Sequence, residues 1–240
     1  MGEMAPLDKL IGIAAVTGII IGAALMLGLI DRRHFHPRWL LVAAGLMIAN
    51  DLLLSFTPDL APGSRWNWAG KIAALSFTLA VAALPALGWH RVGLTLRQRR
   101  EGRPVTYAVI LATTLLFGAF ALSLPAEAPS LDDYAFQLTM PGLEEESFYR
   151  GTLLLAFNEA LRGRLRFLGI EWSWGGILAT TAFGLAHALS FDNGVMAFDG
   201  MAMAMTGVPA LILLWVRERT GSLLWPVLLH NYANVIPMIL

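Results

Sequence analysis

Apolar residues in this chain come in long unbroken runs, not in the alternating or every-third-residue pattern of half-buried strands and helices, and short polar segments separate the runs. Eight runs mark the sequence, at roughly 10–30, 39–56, 67–90, 105–125, 142–162, 174–190, 199–216 and 222–239. They are about as long as a helix must be to cross a ~30 Å hydrocarbon layer. Periodicity alone does not separate a membrane span from a buried soluble helix, but the number of runs and the thin connections between them do. The pattern predicts an all-α fold, a polytopic membrane helix bundle of about eight transmembrane helices. It forms one transmembrane domain over residues 1–240, without an internal repeat or a low-complexity linker. The first run is preceded by Glu3, Asp8 and Lys9, not by a basic segment, and ends in DRRHFHPR with no small-residue cleavage site. It reads as a retained span.

Composition agrees with the pattern. Of the 240 residues, 57% are hydrophobic and 14% charged, against roughly 45–50% and about 25% in ordinary soluble domains. The formal net charge is zero, which gives no basic surface for nucleic acid and no solvating acidic tail. Cysteine is absent, so disulfides, thiolate metal sites and a cysteine nucleophile are excluded.

Charge in the connections orients the bundle. Arg32, Arg33 and Arg38 follow the first run; Arg91, Arg97, Arg99, Arg100 and Arg103 follow the third; Arg162, Arg164 and Arg166 follow the fifth; Arg217 and Arg219 follow the seventh. The opposite connections hold Lys9 and Arg65 and the acidic stretches AEAPSLDD and FDNGVMAFDG. Thirteen basic residues against two place both termini outside the cytoplasm by the positive-inside bias. The expected location is the cell (inner) membrane. Trp66, Trp68, Trp172 and Trp174 fit an interfacial belt.

Ionisable groups within spans are costly and mark functional sites. The chain has four groups of polar residues in its runs: Glu144, Glu145, Glu146 and Arg150; His187; His230, Asn231 and Asn234; and Asn50 and Asp51 with Lys71. At ~1.5 Å per residue, Glu145 and His187 lie on the order of 5 Å below the outer boundary, Asn234 ~9 Å and His230 ~14 Å. One outward-facing cavity can hold all four. Glu146 and Arg150, four apart, can pair on one helix face. Glu145 is turned by about 100° from Glu146 and points elsewhere. His230 and Asn234 share a face. Glu144 reads as interfacial, and Asp51 with Lys71 as a structural ion pair.

Three motifs stand in order on late apolar runs: EESFYR fits Glu-Glu-x-x-x-Arg, FGLAH fits Phe-x-x-x-His and HNYAN fits His-x-x-x-Asn. Together they resemble the CPBP family of intramembrane proteases, which includes CAAX prenyl endopeptidases and bacteriocin-processing or self-immunity proteins. The resemblance covers residues 145–234 of the motif-bearing core, 142–240; the first four runs match only in general character. It implies peptide-bond hydrolysis of the glutamic type. Glu145 would be the general base and His187 would hold and polarise the water. His230 and Asn234 would stabilise the oxyanion, and Glu146 with Arg150 would orient the motif helix. A membrane-embedded peptide or protein substrate and lipid are the implied partners.

The chemistry is coherent without the family: amide hydrolysis in lipid needs a held water, a base beside it and donors where negative charge develops. No cofactor is expected. A zinc alternative on Glu145, His187 and His230 is open because the family was long described as metal-dependent, yet the sequence lacks His-Glu-x-x-His and a His–Asn mixture is a poor zinc set. Taken singly, the acidic cluster could serve a helix N-terminus, and the histidines and asparagine could join helices. Rival functions are a non-catalytic immunity or scaffold protein and an ion- or proton-coupled transporter.

Overall fold

A computed structural model describes residues 5–58, 63–125 and 128–240. Glu3 and residues 126–127 of the acidic AEAPSLDD stretch lie outside the described residues. Helices α1 (Pro6–Ile30), α2 (Pro37–Phe56) and α3 (Trp68–Ala82) lead, followed by the single turn α4 (Trp89–Val92), α5 (Arg103–Ala121) and the short α6 (Leu131–Gln137). One continuous helical rod then runs through α7 (Met140–Glu145), a π-helical segment (Glu146–Leu153) and α8 (Leu154–Ala160). A hairpin of β1 (Arg164–Phe167) and β2 (Ile170–Ser173) leads to α9 (Trp174–Ala188). A second hairpin, β3 (Leu189–Asp192) with β4 (Val195–Phe198), precedes α10 (Gly200–Thr220) and α11 (Leu224–Val235).

The protein is an all-α integral membrane bundle. α1, α2, α5 and α10 are long and apolar enough to cross a membrane, yet a third or less of each apolar stretch is buried within the protein. Their outward faces carry residues such as Ile30, Leu41, Leu111 and Val208, the surface a lipid solvent requires. The inner cluster is built from Ile20, Met47, Phe148, Phe157, Ala182 and Leu214.

Local chemistry sets the boundaries. Proline stands in the first turn of α1, α2 and α5, where its missing N–H costs nothing. Asn67, Ser173 and Asp199 cap α3, α9 and α10 by accepting backbone N–H groups, as short polar side chains do. The third apolar run ends as helix at Ala82, not near 90, because Pro85 disfavours helical geometry before it and Gly88 adopts φ 78°.

The hairpins were not expected. Asn193 and Gly194 have φ 50° and 78°, the left-handed pair of a two-residue turn that suits strand twist. Leu168 and Gly169 repeat it at 49° and 76°.

The connections segregate by charge in space as in sequence. At one end, the Arg162 backbone N–H donates to His34, Arg91 pairs with Glu159, and Arg219 donates to the carbonyl of Gly169. At the other end, Asp8 accepts the backbone N–H of Asn193, and Asp133 pairs with Arg65.

Candidate active site

The first motif sits where the rod changes pitch. Widening to i→i+5 hydrogen bonding over Glu146–Leu153 rephases the side chains that follow, a distortion that recurs at functional sites. Asn231 fixes the entry: its Oδ1 accepts the Gly142 N–H at 2.7 Å. A Cβ on Gly142 would lie 2.7 Å from the carbonyl oxygen of Val227 and 2.5 Å from Asn231 Oδ1, so glycine is what allows α7 to meet α11. That contact carries the glutamates to His230.

The two adjacent glutamates then part. Glu146 is fully buried; its Oε1 accepts from Arg150 Nη1 at 3.1 Å and from His230 Nδ1 at 2.7 Å. The Arg150 guanidinium lies 4.4 Å from the Phe183 ring centroid, a cation–π contact. Glu145 points away, with Oε2 3.5 Å from His230 Nε2. That spacing is at the long limit of a direct contact, and both residues line the same cavity.

His187 is at the end of α9, and its Nδ1 lies 2.8 Å from the Phe183 carbonyl oxygen. A carbonyl only accepts, so Nδ1 carries the proton; in the neutral tautomer Nε2 is then an acceptor. Glu145, His187, His230 and Asn234 all line one cavity of about 500 Å³, whose walls are mainly apolar and include Phe117, Phe120, Phe136 and Leu213. A second cavity of about 390 Å³, lined by Asp8, Lys9, Asp51 and Tyr149, meets the first at Lys71, Glu145 and His187.

Two expectations fail. Lys71 does not pair with Asp51: its Nζ donates to Glu144 Oε2 at 2.5 Å and to Glu145 Oε1 at 2.6 Å. Spacing could place Lys71 and Asp51 at similar depth but could not show which acid its side chain reaches. Glu144 is not interfacial; it is fully buried, because the ammonium from α3 supplies its counter-charge. Glu146 and Arg150 pair as expected.

Glu145 is engaged by Lys71 and His230 Nδ1 by Glu146. Among the described residues no three His, Asp or Glu side chains are placed to hold a metal ion. Both imidazoles bond through Nδ1, so the Nε2 atoms of His187 and His230 are the nitrogens that a zinc alternative would use.

One wall of the apolar cavity, at Trp66 and Phe136, carries a strap. Trp66 stacks on Phe136 with ring centroids 4.8 Å apart. Asp133 accepts from Trp66 Nε1 and Arg65 Nε, both at 2.7 Å, and Asp132 accepts from Trp68 Nε1 at 2.9 Å. The Ser130 backbone N–H first, then Trp66, the Ser130 hydroxyl and Arg65, lower the Asp133 carboxyl to about 2 against the desolvation that would raise it.

Residues 127–236 match the family model of the Rce1-like type II CAAX prenyl endopeptidases. This part of the chain is Rce1-like. The matched segment contains all three motifs, and the likeness supports a membrane peptidase. No curated protein and no solved structure matches the chain. The Rce1-like segment does not include α3, so Lys71 enters the site from outside it.

Proposed function

We propose that the chain is a glutamic-type intramembrane endopeptidase that cuts a peptide bond near the C-terminus or membrane anchor of its substrate. The observation that carries this reading is the meeting of Glu145, His187, His230 and Asn234 on one largely apolar cavity. Glu145 accepts a proton as water oxygen attacks the carbonyl carbon, while His187 Nε2 accepts the second water hydrogen and holds the water in place. Asn234 donates to the oxyanion. His230, braced by Glu146, adds a second donor when Nε2 carries a proton. Collapse of the intermediate breaks the C–N bond, and Glu145 returns its proton to the leaving amine.

The apolar walls suit a hydrophobic substrate segment. The family model that matches residues 127–236 is named for CAAX prenyl endopeptidases. In this chain the cavity is lined by Trp66, Phe136, Gln137 and Pro237, from the end away from the arginine-rich connections, which the positive-inside bias assigns to the non-cytoplasmic side. Substrates whose termini emerge there, such as C-terminal sorting signals and exported peptides, fit that placement better than cytoplasmic prenylated tails.

Purified protein in proteoliposomes provides the test, with a farnesylated CAAX reporter and unprenylated C-terminal sorting-signal peptides as probes. Glu145→Gln is expected to lower turnover about 10²–10⁴-fold, and Asn234→Ala about 10²–10³-fold, with each variant still folded. Full activity in Glu145→Gln, or ion flux with no cleavage, would refute the reading.

A further inference from the structure

Among the described residues, Lys71 supplies the direct cationic contact to both Glu144 and Glu145. It is unlike the other cation of the site. Arg150 belongs to the motif, is spent on Glu146 and lies behind it against Phe183. Lys71 comes from α3, in the half of the chain outside the Rce1-like segment, and it lines both cavities at the point where they meet.

We propose that Lys71 is a positioning residue of the hydrolytic site, which clamps Glu145 Oε1 so that Oε2 faces the reaction cavity and the His230 ring. This rests on the proteolytic reading above and extends it to a residue that no motif contains.

Three observations support the clamp. Both ion-pair distances, 2.5 and 2.6 Å, are those of close charge-assisted bonds, and the Lys71 side chain is 14% exposed against 0% and 12% for its partners. Two neighbouring carboxylates in a water-poor interior repel each other, and a shared ammonium offsets that repulsion. An ammonium carries three donors, and two are used by the glutamates. The third is left for the cavities that Lys71 lines, where it can bond a water beside Glu145. A lysine suits this task because its ammonium is a point charge with rotatable donors, whereas a planar guanidinium would grip one carboxylate with two bonds.

The absence of cysteine from the chain permits a direct test, since Lys71→Cys creates a unique thiol. Its thiolate displaces bromide from 2-bromoethylamine, forming a C–S bond and restoring an ammonium at nearly the original reach. Iodoacetamide caps the same thiol with a neutral group, displacing iodide. Detergent-solubilised full-length protein, which meets a quenched farnesylated CAAX peptide from either side, is assayed in each form.

The expected result is a fall in kcat of about 100-fold in Lys71→Cys with KM changed less than about threefold, recovery to within about threefold on aminoethylation, and no recovery on carbamidomethylation. Retained kcat, a loss confined to KM, or equal rescue by both reagents would overturn the proposal. Should wild-type protein leave the peptide uncut, the proteolytic reading fails for that probe and Lys71 is judged separately. Thermal midpoints of Lys71→Met, Glu145→Gln and the double variant then decide it. The clamp requires a non-additive double variant, and additive effects would reject it.

Discussion

Glu145, Glu146 and Glu144 are consecutive, yet each is met by a different combination of partners. Glu146 is held by Arg150 and His230, Glu145 by Lys71 with His230 Nε2 nearby, and Glu144 by Lys71 in full burial. That Glu145 and Glu146 meet different partners was legible, because helical rotation separates adjacent side chains and Arg150 stands four residues on. The partner of Glu144 was not, because no spacing within one helix shows which side chain of another helix reaches it. Gly142 is the residue whose replacement tests how the site is assembled. Gly142→Ala places a methyl against the Val227 carbonyl oxygen, backbone that cannot rotate away, and overpacking of this kind costs about 1–3 kcal/mol. A lowered thermal midpoint in detergent is expected, together with a loss of cleavage larger than the loss of folded protein, because α7 must retreat from His230. An unchanged midpoint would show that α7 and α11 are not packed so closely.

Among the elements, the helices were readable from long apolar runs, and proline and capping residues explain most of their ends. The π segment was invisible, since its residues also satisfy an ordinary helical pattern. The hairpins were missed for different reasons. Asn193-Gly194 is a recognisable turn signal hidden between two apolar runs, whereas Leu168-Gly169 offers only the glycine. The strap made by α6 and the Arg65–Trp68 turn gives a pH prediction. The folded Asp133 carboxyl is lowered to about 2, below the ~3.9 of an unfolded aspartate. Its contribution to stability is therefore fully present above about pH 4 and is lost as pH falls through about 2. The thermal midpoint of wild type should exceed that of Asp133→Asn at pH 6, with the gap narrowing from about pH 4 toward pH 2. A gap that stayed constant over that range would show that the Asp133 charge contributes nothing to the strap.

For the whole molecule, the arginine-bearing connections gather at one end and the site lies toward the other, a separation that the charge alternation foreshadowed. Which end faces the cytoplasm is a matter of membrane insertion. Single cysteines in this cysteine-free chain report it: Asn193→Cys should react with an impermeant maleimide on intact cells, and Arg100→Cys only after permeabilisation. The reverse labelling would invert the proposed topology and return cytoplasmic prenylated substrates to first place. The central claim, that Glu145 serves peptide hydrolysis, is tested most directly by comparing the termini of membrane and exported proteins in cells carrying wild-type chain and cells carrying Glu145→Gln at equal expression. The account predicts that at least one uncleaved terminus accumulates in the variant and that the same terminus accumulates in His187→Ala. Identical termini in all three strains would contradict it.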